Sequence, residues 1–235
     1  MIIRRYAQHI KNQNWSAFIL DIFVVLIGVY IAVIIGQWDT QRTDKENANQ
    51  SLMFLHQDLK GDMEQLSITL TKRENMSAGL ELMIKALLES PVNVDEVTRI
   101  NQHLDDLDTP TFFPNKSVYK LMLENGQLIN LQDKDLVRNI TTLYDYSNNR
   151  NDVYAYLSDI YHDAILRNTR HQYFDRSNET LLIETEIDLG RLRSGLAAQK
   201  AYGQGYSSFL RNSLLPLYQK LNKQIEQYLL KQETK

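Results

Sequence analysis

The sequence predicts an all-α chain in which one N-terminal transmembrane helix leads into a long amphipathic helix and a helical-bundle domain. Residues 18–37 are twenty consecutive positions with a single ionisable group, Asp21, and neither Lys nor Arg. Beyond them, apolar residues recur at spacings of three and four, the period of a helix with one buried face. Four Pro and nine Gly in 235 residues leave few places where helices must break.

Twenty residues at the α-helical rise cross roughly 30 Å of hydrocarbon, one bilayer core. Trp15 and Trp38 bracket the stretch about 35 Å apart on the same rise, where interfacial aromatic anchors belong. Arg4, Arg5 and Lys11 precede it, as in a secretory signal peptide. The apolar run is longer than a signal core, however, and no small-x-small cleavage site follows, so a retained anchor is expected. A cleaved signal and a buried soluble helix are the alternatives.

Ala17, Asp21, Gly28, Ala32 and Gly36 are separated by four, seven, four and four residues and share one helical stripe. Gly28, Ala32 and Gly36 form a doubled small-xxx-small pattern, which lets two helix backbones approach closely in lipid. Asp21 lies on the same face, where a carboxylate is tolerated better toward a neighbouring helix or water than toward lipid. The stripe predicts self-association, with Asp21 facing the symmetry axis. Against it stands the plainer reading that small residues are common in membrane helices and that Asp21 snorkels to the headgroups.

The chain carries a net charge of −3, and residues 39–235 hold 23 basic against 28 acidic side chains, net −5. That sign disfavours nucleic acid as a partner. The absence of Cys removes disulfides, thiol nucleophiles and Cys-ligated zinc without identifying the compartment.

In chain order, residues 1–14 form a basic segment that favours a cytoplasmic N-terminus, three charges against Arg42 and Lys45 on the other side. Residues 15–38 are the anchor. Residues 39–90 read as one long amphipathic helix continuing from it, with Leu52, Leu55, Leu59, Met63, Leu66, Leu70, Leu80, Ile84 and Leu87 on the apolar face and a gap around Arg73. Gly61 and Gly79 are its weak points, and Ser90-Pro91 ends it.

Residues 91–235 form the bundle packing on that helix. Asn93 with Glu96 makes a capping box for a short helix to about Leu107. Phe112 and Phe113 then tuck into the core from a non-helical link. Asn125-Gly126 closes a helix with a left-handed cap, residues 127–132 turn, and Asp133 caps a helix that runs toward Asn168 with an interruption at 148–151. Residues 181–189 read as either helix or extended chain. Residues 191–231 are helical, bent or restarted at Pro216.

Two stretches resemble a known family. The acidic residue, Val/Ile run, single glycine and Trp-Asp exit (Asp21 through Gly28 to Gln37-Trp38-Asp39), and the segment Tyr119 to Tyr144 with its Asn-Gly cap and Leu-Ile-x-Leu turn, are similar to a family of uncharacterised single-pass bacterial membrane proteins. The resemblance implies an anchored, mostly helical inner-membrane protein and no particular chemistry. Members often carry a glutamate and an Asn-rich exit; this chain has Asp21 and Gly36-Gln37.

Constellations that could carry chemistry are incomplete. Asp159, His162 and Asp163 share a face but supply only half of a two-metal bundle motif, and neither His56 with Asp58 and Lys60 nor His103 with Asp106 supplies the other half. A helix-turn-helix around Gly126 would present Asp133 and Asp135 to the bases. No phosphate loop, nucleophile elbow or H-E-x-x-H occurs. Tyr144, Tyr146, Tyr154, Tyr156, Tyr161 and Tyr173 read as helix-packing residues. The expectation is therefore a protein that is not an enzyme and has neither metal nor cofactor. Its partners are expected to be the lipid bilayer and further copies of itself, with any other protein partner unknown. Its place is the bacterial inner membrane, single-pass, with the soluble domain periplasmic. Two function classes follow: a self-associating scaffold or interaction protein, or an oligomeric channel or gating protein lined by a ring of Asp21 carboxylates.

Overall fold

The computed structural model of the chain describes residues 15–105, 111–151, 153–154, 156–157, 172–175, 181–182 and 185–233, with side chains from residue 22 onward except 105, 148, 151 and 233. The described residues are all-α. The chain divides into two compact units, Met1–Ala48 and Asn49–Lys235. Helix α1, Trp15–Ala86, is a single helix of 72 residues, unbroken at Gly61 and Gly79. It stops four residues before Ser90, because its last turn tightens through Leu88 N–H to Lys85 O and Glu89 N–H to Ala86 O.

Within the first unit, every described side chain from 22 to 38 is exposed. Within the second, α1 presents a strict seven-residue repeat: Leu52, Leu55, Leu59, Asp62, Leu66, Thr69, Arg73, Met76, Leu80 and Met83 are all buried and alternate steps of three and four. This repeat makes one continuous buried seam along the helix. It corrects the apolar count made from sequence at two places. The seam runs through Asp62 and leaves Met63 half-buried, and the gap at Arg73 is filled by Arg73 itself, whose guanidinium lies 4.3 Å from the centre of the buried Tyr206 ring.

Helix α2, Val94–Asp105, opens with Asn93 Oδ1 accepting the Glu96 N–H at 3.1 Å. Its Val97, Ile100 and Leu104 pack on Met76, Leu80, Met83 and Leu87 of the α1 end, together with Leu192 and Leu196. Phe174 and Leu181 add an isolated antiparallel bridge to this cluster. Of the two phenylalanines expected in the core, Phe112 is buried and Phe113 is 69% exposed. Outside a helix the link buries one ring of the adjacent pair and leaves the other to water.

Helix α3, Ser117–Glu124, closes at Gly126 in the left-handed region, φ 66°. The stretch read as a turn contains a single helical turn, α4, Gln127–Asn130. Helix α5, Lys134–Tyr146, begins under Asp133, whose carboxylate accepts the Asp135 and Leu136 N–H groups at 3.0 Å each, and widens into a π turn, Ser147–Asn151. Helix α6, Glu186–Phe209, starts at Thr185, which accepts the Asp188 N–H.

A second π turn, Leu210–Leu214, joins α6 to α7, Leu215–Glu233. Its cause is Pro216: with no N–H to offer the Asn212 carbonyl, the chain shifts to the wider bond from Leu215 N–H to Leu210 O. The helix is therefore neither broken nor restarted at the proline. The basic segment 1–14, Asp106, and the Asp159, His162, Asp163 and Tyr161 group lie outside the described residues.

Candidate functional site

Gly28, Ala32 and Gly36 fall on the described part of α1, all exposed, and a methyl group added at Gly28 or Gly36 would meet nothing within 4 Å. Trp38 is exposed as well. Trp15, Ala17 and Asp21 lie on helical backbone, with side chains outside the described set. One helix among the described residues is long and apolar enough to cross a membrane, and it is this one.

The second unit holds a polar centre that the sequence did not reveal. Asp62, 5% exposed, sits at a core position of α1. One of its oxygens accepts the Asn115 N–H at 3.0 Å and the other accepts the Tyr218 hydroxyl at 3.0 Å. One turn earlier on α1, Asp58 accepts the Asn115 side-chain amide at 2.9 Å and faces the Val118 N–H. Asn115 in turn accepts the Ser117 N–H. The two carboxylates thus stand at the N-terminus of α3, where Lys116 makes no side-chain cap, and supply acceptors and negative charge to its first turn from another helix.

Aromatic side chains enclose this centre. Tyr144 is fully buried and stacks on Tyr119 with ring centres 4.2 Å apart and planes 8° from parallel. Its hydroxyl, close enough to feel the Asp62 and Asp58 charges, has no hydrogen-bond partner among the described residues. Phe112 meets the Tyr218 ring edge-on at 6.0 Å, and the Phe112 N–H donates to the Tyr206 hydroxyl at 3.2 Å.

Burial pushes the Asp62 carboxyl up to about 6, with the Asn115 N–H and Tyr218 hydroxyl pulling the other way and the Asp58 charge adding to the rise. Burial raises Asp58 too. The Tyr144 and Tyr218 hydroxyls are raised by burial first and then by the Asp62 charge. Among the described residues no Lys, Arg or His faces Asp62. His56, half-buried on α1, is lowered by burial and by Lys60, and faces Asn222 and Glu226 of α7.

Farther along α1, a polar cleft of about 380 Å³ separates it from α6 and the second π turn. Ion pairs Glu74–Arg211 and Glu81–Lys200 bracket it, and Ser77, Ser207 and Ser208 line it. Small side chains facing each other across two helices leave this gap. Its charges are already matched, so it offers no net charge to a ligand. Among the described tyrosines singled out in sequence, Tyr144 and Tyr173 are buried, Tyr146 and Tyr154 pack on Phe209 at 6.0 and 4.7 Å, and Tyr156 is exposed.

The residues that sequence reasoning missed are Asp62, Asn115 and Tyr218. The available signal was the seven-residue register, which places Asp62 midway between Leu59 and Leu66 on the buried seam.

No curated protein and no solved structure matches the chain. A family of unknown function, DUF6090, matches residues 21–177, from the apolar part of α1 through the Asp58–Asp62 centre to α5 and beyond. The chain therefore belongs to this family of unknown function, DUF6090.

Proposed function

We propose that this chain is a membrane-anchored, self-associating helical interaction protein of the bacterial inner membrane, without catalytic activity, with its N-terminus in the cytoplasm and its bundle in the periplasm. One observation supports the anchor above all others. Every side chain from 22 to 38 is exposed, including twelve large aliphatic or aromatic residues from Ile22 to Ile35. Covering side chains of that size is worth about 1.5–3 kcal/mol each. A helix satisfies its own backbone in lipid, so a bilayer covers them at no cost in unpaired amides.

Fractionation tests the anchor: the chain stays with the membrane pellet through alkaline carbonate extraction, and a variant with Val25 and Ile31 changed to Lys is released. Recovery of wild type in the carbonate supernatant overturns the reading. A C-terminal reporter active only in the periplasm tests the orientation, and activity of its cytoplasmic counterpart reverses it.

Self-association is tested at Gly28 and Gly36. Because there is room for a side chain at both positions in one chain, loss of crosslinked species in a Gly28→Leu, Gly36→Leu variant reports contact with a second chain. An unchanged crosslinking pattern removes the stripe as the contact. Assemblies of five or more copies in nanodiscs would favour the Asp21-ring channel instead.

A further inference from the structure

Asp62 is the one buried carboxylate on the described α1 seam, and three separate elements meet on it: α1 supplies it, the link before α3 donates through Asn115, and α7 donates through Tyr218. The titratable groups that face it are Asp58 on its own helix, Tyr218 on α7 and Tyr144 on α5. All are acids, and the link contributes only the uncharged Asn115. An ionised Asp62 is therefore a buried charge beside a second, half-buried carboxylate and two hydroxyls, with no counter-charge among the described residues, an arrangement that costs free energy until water or a proton reaches it.

The element that yields most easily is the link. Residues 111–115 lie outside any helix, and the described link is held by the Asn115 bonds to Asp58 and Asp62 and by the buried Phe112, whose N–H donates to Tyr206. Helix α3 behind it has eight residues with two buried side chains, Tyr119 and Met122. By contrast α1 and α7 are long helices that meet at two places, Asp62 with Tyr218 and His56 with Asn222 and Glu226.

We propose that the Asp58–Asp62 centre is a proton-operated latch that holds residues 111–124 on α1 when Asp62 is protonated and lets that segment open when it is not. The direction follows from the environment. A carboxyl raised by burial stabilises the closed form at low pH, and that contribution is lost as the pH climbs through about 6. The two tyrosines stay protonated throughout this range, so the carboxylates alone carry the change.

Amide hydrogen exchange on the full chain in nanodiscs, corrected for intrinsic rates, tests the latch at pH 5 and pH 7.5. Amides of 111–124 are expected to lose protection by about tenfold between the two, and at pH 7.5 to exchange faster than amides of residues 55–66 in α1. Asp62→Asn is expected to abolish the pH dependence, and His56→Gln, which removes the half-buried histidine of the same helix, to retain it. Should Asp62→Asn fail to fold, Tyr218→Phe keeps the carboxyl but removes a donor to its anion, so the loss of protection moves to higher pH. Three results overturn the proposal: protection of 111–124 that does not change with pH, the same change in Asp62→Asn, or exchange of 111–124 no faster than residues 55–66 at pH 7.5, which would mean that the pocket opens only with the whole bundle.

Discussion

Tyr144 and Tyr218 are both completely buried beside Asp62, yet removing their hydroxyls should have opposite consequences. Tyr218 donates to Asp62 at 3.0 Å, whereas the Tyr144 hydroxyl has no partner and its ring is fixed against Tyr119. Tyr218→Phe deletes a hydrogen bond to a carboxylate, which costs about 1.5–3 kcal/mol. For a domain of this size each kcal/mol moves the melting temperature by about 2–4 °C, so the loss is about 3–12 °C. Tyr144→Phe keeps the stacked ring and removes an unpaired buried hydroxyl, which leaves stability unchanged or raises it by as much as about 1–3 kcal/mol. The Tyr218 effect should also be larger at pH 8 than at pH 5, since an ionised acceptor makes the stronger bond. Thermal melts of the full chain in detergent, followed by tyrosine fluorescence at both pH values, measure the pair. Equal destabilisation by the two substitutions would refute the reasoning, because it would mean that the Tyr144 hydroxyl is hydrogen-bonded in solution.

Three further outcomes are expected. Comparing Asp62→Asn with wild type over a pH series, the difference in unfolding free energy should shift in the variant's favour by about 2–3 kcal/mol between pH 4 and pH 7.5, since only wild type must ionise a buried carboxyl; a constant difference would contradict this. Leu59→Ala, at a fully buried seam position, should cost about 2–5 kcal/mol in chemical denaturation while leaving membrane fractionation unchanged. Asp133→Ala removes the acceptor for two N–H groups at the start of α5 and should cost about 0.5–2 kcal/mol, with Asp133→Ser recovering most of it.

What could be read from sequence was whatever depends on neighbours along the chain. The long apolar helix follows from a nearly uninterrupted apolar run, Gly126 from its need for positive φ, and Asp133 and Asn93 from the orphan amides that follow them. The Asp62 centre depends instead on partners 53 and 156 residues away, and no local pattern announces them. Polar residues at core positions also disguise the seam. Counting only apolar side chains skips Asp62, Thr69 and Arg73, shifts the stripe onto Met63 and leaves a false gap at Arg73, although the three-four alternation continues through all of them. The all-α class survives such errors because an amphipathic helix tolerates a misplaced stripe; the polar centre does not, because the carboxylate at its middle, Asp62, is one of the skipped positions. Phe112 and Phe113 illustrate the same limit, since composition alone does not decide which of two adjacent rings turns inward.

The π turn at Leu210–Leu214 works as a phase corrector. Tyr206, Leu210, Leu214 and Tyr218 are buried at successive intervals of four, and in a regular helix each such interval overshoots a full turn by about 40°, so Tyr218 would be carried about 120° away from the direction of Tyr206. The wide turn absorbs that excess and lets one continuous rod aim tyrosines at Arg73 and at Asp62. The segment should accordingly give up one residue without loss of phase only when the proline goes with it. Deleting one position among 210–214 in a Pro216→Ala background would close the wide turn to an ordinary one and leave Tyr218 about 20° from the direction of Tyr206, whereas the same deletion in the regular helix before the wide turn would rotate Tyr218, Leu221 and Ile225 by about 100° away from the core. A relative that lacks Pro216 is expected to compensate with its length here, dropping one residue in step with the proline.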